Sequence, residues 1–179
     1  MTKPVFESLI LDLQVDKALS EGQVKRHYVL GELSHLPEPF FMTTCYVATT
    51  HHSRTFREVR FIVLEKRYTQ ASAHVLRHLA AVAEMRRCLQ VKREDWSFVP
   101  EASFSFEKPD ALWQSPFGEI AIEFDAGSYS SQKIKHKIEA FKRYSAQRWG
   151  SSSQKRVLRL SGHLQASGVV HEPLLLNWT

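Results

Sequence analysis

Pro109-Asp110-Ala111-Leu112-Trp113, a break at Ser115-Pro116-Phe117-Gly118, and then Glu119-Ile120-Ala121-Ile122-Glu123-Phe124-Asp125 form the stretch that decides the fold. In its second half Ile120, Ile122 and Phe124 alternate with Ala121, Glu123 and Asp125. Successive side chains of a strand point to opposite faces, so the apolar set lies on one side and both carboxylates on the other. The break has turn chemistry, which makes the two runs antiparallel neighbours. Asp110 is thereby carried towards the same end of the hairpin as Glu123 and Asp125. Three carboxylates gathered at strand ends are a way to hold a divalent metal. The same acids on a solvated strand edge would have no chemistry.

Downstream of this hairpin the charge changes sign. Between Gln132 and Arg159 nine lysines and arginines face the single acid Glu139, although the whole chain of 179 residues carries a net charge of only +5. The basic excess is local, and a local basic stripe favours a polyanionic partner, most simply nucleic acid. A solvated helix face is the alternative reading. Ser131 is placed to cap a helix running to Trp149, with Ile134, Ile138 and Phe141 as its buried stripe. Steps of 100° put Lys133, Lys137 and Tyr144 on one flank and Lys135 and Lys142 on the other. Lys137 is the lysine best placed to look back at the acidic strand.

Upstream, residues 70–90 read as the clearest helix, with Val75, Leu76, Leu79, Val82, Ala83, Met85 and Leu89 in an apolar stripe. Glu84 lies beside that stripe, where it could reach a neighbouring sheet or pair with an arginine on its own helix. Strand signals follow at Trp96–Val99 and, after Pro100, at 102–106. Beyond the basic helix, 150–153 reads as a flexible connector, Arg156–Leu160 as a strand and Leu174–Trp178 as another. Helix, three strands, helix and strand make an α/β domain with a mixed sheet.

The N-terminal region, residues 1–69, reads as a smaller unit beside a core at 70–179. A short amphipathic helix spans 5–13, and Ser20-Glu21-Gly22-Gln23 has the form of a capping box ahead of a second helix. Gly31, Pro37 and Pro39 end the helical pattern. Two strand-like runs, 40–49 and 55–66, joined through His51-His52-Ser53-Arg54, predict a hairpin. Two helices and a hairpin suit a winged-helix-like unit or a purely structural layer. His51-His52 point oppositely in an extended segment, and His74 with His78 lack a third ligand, so neither pair is read as a metal site.

No apolar run approaches the ~20 residues needed to cross a bilayer, and the N-terminus does not read as a signal peptide. Cys45 and Cys88 show no zinc-like spacing and are expected to be buried thiols in a reducing compartment, which places the chain in the cytoplasm.

The order helix, strand, Pro-Asp, strand with an acidic pair, helix resembles the PD-(D/E)XK nuclease superfamily, whose fold is that of restriction endonucleases. More narrowly, His78-Leu79-Ala80-Ala81-Val82-Ala83-Glu84, Pro109–Trp113, Glu119–Gly127 and Lys137–Tyr144 look like the replication-relaxation proteins of plasmids and mobile elements. The likeness covers roughly residues 72–160. Such proteins pair an N-terminal winged helix with a PD-(D/E)XK-like core. The resemblance implies that Asp110 and Glu123 ligate Mg²⁺ or Mn²⁺, with Asp125 a further acid of the same catalytic and metal-binding group. The superfamily expects lysine where Asp125 stands, and Lys137, from the following helix, is the candidate for that role. Glu84 matches an accessory acid sometimes found on the first core helix. DNA is the implied partner, with Lys133, Lys135, Lys142, Arg143 and Arg148 as its contacts. The sequence leaves a homodimer open.

Phosphodiester hydrolysis itself asks for such a set. Charge on the phosphoryl oxygens must be neutralised, a water deprotonated and the leaving oxygen stabilised. A divalent cation held by carboxylates supplies most of this, and a nearby lysine orients water or stabilises developing charge. The competing expectation is a DNA-binding accessory protein of plasmid or mobile-element replication with a degenerate site; a third is a module in which acids and bases form only ion pairs.

Overall fold

A computed structural model of the chain describes residues 3–29, 33, 36–48, 55–99 and 107–179. Gly31, the hairpin connection with His51-His52, and the strand expected at 102–106 lie outside them. The protein is mixed α/β with two sheets, and its chain divides into two units, Met1–Glu84 with Asn177–Thr179, and Met85–Leu176. Among the described residues no helix is long and apolar enough to cross a membrane.

In the first unit, α1 (Lys3–Asp16) leads through β1 (Ala18–Ser20) into α2 (Glu21–Tyr28). The capping box forms as expected: the Ser20 side chain accepts from the Gln23 backbone N–H at 3.1 Å, and Gln23 Oε1 accepts from the Ser20 N–H at 2.9 Å. Two of the helix's orphan N-terminal donors are satisfied in this way. The expected hairpin is β2 (Phe41–Ala48) and β3 (Phe56–Val63), antiparallel, and β1 joins β3 on its other side to give the order β1-β3-β2. Leu9, Leu13, Leu19, Val24 and Ile62 form the core beneath this sheet. A 3₁₀ turn (Lys66–Gln70) precedes α3 (Ala73–Cys88), the helix read at 70–90. Cys88 ends α3 exposed, and Cys45 on β2 is only half-buried, so the expectation of two buried thiols does not hold.

The second unit contains β4 (Trp96–Phe98), β5 (Ala111–Ser115), β6 (Gly118–Phe124), α4 (Ser131–Ala140), a 3₁₀ turn (Phe141–Arg143), β7 (Ala146–Ser151), α5 (Gln154–Ala166) and β8 (Leu174–Leu175). Their order in the sheet is β4-β5-β6-β7-β8, antiparallel up to β6 and parallel from β6 onward. The sheet is mixed, as the crossovers imply. The turn before β6 needs Gly118: its φ is 110°, and a Cβ there would lie 2.1 Å from Ser145 Oγ.

Several sequence expectations fail after β6, the first being the helix cap, which is Ser130 and not Ser131. The basic helix stops at Ala140 instead of running to Trp149, because residues 146–151 pair with β6 as β7. Ala146, Gln147 and Arg148 are compatible with a helix. Pairing with a central strand overrides that local preference, and β7 shows no polar face because Gln147, Trp149, Gly150 and Ser151 are buried. Gly150 and Ser151 therefore belong to β7 and not to a connector. Arg156–Leu160 is helical, not a strand, since it lies within α5, whose Leu160 and Leu164 stand four apart on its buried face. The last strand shortens to Leu174–Leu175.

Because α4 and α5 each join parallel neighbours in the same direction of travel, right-handed crossovers put both helices on one face of the sheet. Ile134, Ile138, Phe141, Leu160 and Leu164 accordingly pack with Ala121 and Trp149 in one core. Ala121 shares its strand face with Glu123 and Asp125, so the acidic face of β6 is the face that the helices cover.

Beside this core His171 Nε2 accepts the Trp149 backbone N–H at 3.1 Å, a role open only to the neutral imidazole. Burial, with Arg148 nearby, pushes its pKa down from 6.5 to about 4. The folded state thus binds fewer protons than the unfolded one, and the stability this supplies is lost as pH falls from 6.5 through 4. Discounted for solvent screening of a half-buried group, the loss should be on the order of 1 kcal/mol. Urea melts across that window should show a smaller acid sensitivity in His171→Leu than in the wild type.

Candidate functional site

The register of the hairpin places Ala111 opposite Ile122, which puts Asp110 opposite Glu123. Asp110 is tied there by its backbone N–H, which donates to Ile122 O at 2.9 Å, and by its Oδ2, which accepts the Phe124 N–H at 2.7 Å. The convergence expected of the acids is therefore present, and it comes from strand pairing.

Glu123 is fully buried at the helix-covered face. Its Oε1 accepts from Lys137 Nζ at 2.5 Å and from the Tyr129 hydroxyl at 2.7 Å. Its Oε2 is buried and has no hydrogen-bond partner among the described residues. Burial, reinforced by the Asp110 charge, pushes the Glu123 carboxyl up to about 7 against the opposing pull of Lys137 and Tyr129. Burial and the neighbouring carboxylates hold the Tyr129 hydroxyl firmly protonated, so it acts as a donor. Lys137 reaches Glu123 from the buried face of α4, also donates to Lys108 O at 3.3 Å, and lies 5.4 Å from the Tyr129 ring centre.

Asp125, equally buried, has a different set of partners. Its Oδ1 accepts the Gly127 N–H at 2.8 Å, a contact made where Gly127 adopts φ 101°. Its Oδ2 accepts from Arg156, with Nε at 2.9 Å and Nη2 alongside, and Arg156 Nη2 also donates to Tyr129 O at 2.8 Å. Two carboxylates of one strand face are thus matched by one cation from each covering helix: Glu123 by Lys137 of α4, and Asp125 by Arg156 of α5. A solvated acidic edge is excluded for this strand, since β6 is central and both acids are buried.

Glu84 lies in the first unit. Its Oε2 accepts from Gln23 Nε2 at 2.7 Å and lies 3.2 Å from His27 Nε2, and its Oε1 lies 3.6 Å from Arg26. The five cations expected to contact DNA are dispersed. Lys133 sits over the Tyr129 ring at 4.1 Å, and Lys135 is exposed on α4. Lys142 pairs with Glu139 at 2.7 Å, and Arg143 donates to Glu107 O at 2.6 Å. Arg148 lies on the sheet face opposite the helices and donates to Gln147 O at 3.2 Å.

Tyr129 and Arg156 are site residues that sequence reasoning missed. Tyr129 sits in the loop before α4, where no motif singles it out, and Arg156 falls in a segment that reads as a strand. A helical reading of residues 154–166, from the spacing of Leu160 and Leu164, would have aimed Arg156 at the sheet.

Two facing carboxylates with an unpartnered buried oxygen suit a magnesium-type cation, which takes few protein ligands and keeps several waters. Asp125 is not spare for that role, because its oxygens are occupied. Among the described residues no group of three or more His, Cys, Asp and Glu side chains is gathered as a metal cage, so the candidate set is the two-carboxylate pair Asp110 and Glu123. Comparisons of the chain with protein-family models, curated proteins and solved structures return no match.

Proposed function

We propose that the chain binds DNA and hydrolyses its phosphodiester bonds with Mg²⁺ or Mn²⁺, using a restriction-endonuclease-like core. The observation that carries the reading is the cluster of Asp110, Glu123 and Lys137, in which a buried carboxylate oxygen lacks a partner among the described residues while an ammonium stands 2.5 Å from its twin. The sequence of α3, three antiparallel strands, α4 and a parallel β7 supports this fold, and α1, α2 and the β1-β3-β2 sheet support a winged unit before it. Asp110 and Glu123 would hold the cation, which when bound supplies charge neutralisation at the phosphoryl group and an acidified water. Lys137 places a positive charge beside that position, and Tyr129 fixes the carboxylate between the two. Asp125 serves to anchor Arg156.

A second reading, a non-catalytic DNA-binding accessory protein of plasmid or mobile-element replication, is favoured by the Glu123–Lys137 pair, since the ammonium already compensates the carboxylate.

Titration with Mg²⁺ or Mn²⁺ should raise the melting temperature and support nicking of supercoiled plasmid, and Asp110→Ala with Glu123→Ala should abolish both. Because the cation competes with a proton on Glu123, its apparent affinity should rise up to about tenfold per pH unit below about 7 and level off above it. Absence of both the thermal shift and nicking, with salt-sensitive DNA binding retained, would leave the accessory reading.

A further inference from the structure

Outside this cluster, α4 and α5 leave an open groove of about 520 Å³ on their outer surface. Gln132, Lys135, His136 and Glu139 line one wall, at the spacing of a single helical stripe, and His163 faces them from α5. Arg159, one turn before His163, reaches across to hydrogen-bond Ser131 Oγ at the start of α4. Lys135 has no carboxylate partner among the described residues, whereas Glu139, the acid of the groove, is engaged by Lys142 at 2.7 Å. Lys137, two positions along from Lys135, lies on the buried side of the same helix.

From this arrangement we infer that the α4–α5 groove is a docking track for the phosphodiester backbone of DNA, with Lys135 and Arg159 as its phosphate contacts. The inference rests on the reading of DNA as partner and assigns it a surface separate from the Asp110–Glu123 pair. The stripe from Gln132 to Glu139 extends about 10 Å along α4, room for about two successive phosphates of one strand. Positive charge converges on the imidazole within it: after burial, Arg159, Lys135 and Arg156 are what push the proton affinity of His163 down. An anionic ligand in the groove reverses that effect, so His163 reports occupancy. The charged or titratable groups around the reporter are these three, with His136 and Glu139 on the facing wall.

The test uses the full chain and a short DNA duplex. Anisotropy titrations over a range of salt should show a Lys135→Ala, Arg159→Gln variant binding about tenfold more weakly than wild type, with a salt slope shallower by about 2. In NMR titrations the duplex should raise the pKa of His163 in the wild type and leave it in place in the variant. Tight wild-type binding with an unchanged slope in the variant and an unmoved His163 would overturn the groove while leaving DNA as the partner. Saturation of His163 by inorganic phosphate, with no loss of duplex affinity, would make this a small-anion site and overturn the backbone assignment. No duplex binding at low salt would remove the DNA reading and the groove together.

Discussion

Replacing Lys137 by alanine should lower stability by about 3 kcal/mol near pH 8 and by about 1 kcal/mol or less near pH 5.5. Removing one partner of a buried pair leaves the other charge without compensation, and Glu123 is fully enclosed, its Oε2 without a partner among the described residues. Glu123 has an escape, which is to take up a proton. With Lys137 present its pKa is already raised to about 7, and loss of the ammonium raises it further. The sign follows: the folded variant binds a proton that the unfolded chain releases near 4.5, so stability is retained at low pH and lost as pH rises. Urea denaturation at the two pH values measures this. An equal loss at both would mean that the Lys137 stem, by its packing near Tyr129 and Phe141, matters more than its charge. In plasmid nicking the same substitution should remove activity at every pH, because protonating Glu123 restores the fold and not the missing cation.

The Asp125–Arg156 pair should show a cost of its own and no direct link to metal. Arg156→Ala leaves the buried Asp125 carboxylate without its cation, and the expected cost is about 3–5 kcal/mol at neutral pH. Asp125→Asn combined with Arg156→Met removes both charges and should recover most of that loss. The Mg²⁺-dependent rise in melting temperature should survive in the double variant. If Asp125→Asn alone abolished that rise in a protein that stays folded, Asp125 would be a ligand and the two-carboxylate set would be wrong.

Asp110, Glu123 and Lys137 could be picked from sequence for different reasons. The turn at 115–118 makes β5 and β6 antiparallel and carries Asp110 to the end that holds Glu123 and Asp125, and the register then sets it opposite Glu123. Lys137 followed from helical angles relative to Ile134 and Ile138, and α4 keeps those angles. Asp125 appeared equivalent to Glu123 because alternation places both on one face. Which partner each acid meets depends on which helix covers which end of β6, and that is settled by the crossovers. The five proposed DNA contacts illustrate the same limit: a run of basic residues is contiguous in sequence, but α4, the 3₁₀ turn and β7 send its members in different directions.

The sequence by itself determined the mixed α/β class, the capping box at Ser20, the two hairpins, and the gathering of Asp110 with Glu123 and Asp125 at one end of the second hairpin, since these follow from local periodicity, caps and turn chemistry. Tertiary structure decided what lies beyond Ala140. Residues 146–151 became a strand and 154–166 a helix because β6 offered a free edge for parallel pairing and its acidic face needed a cover, and neither demand is written in local sequence. It also divided the acids, giving Glu123 to Lys137 and Asp125 to Arg156, because a buried carboxylate must find a cation or a proton, and α4 and α5 each supplied one cation.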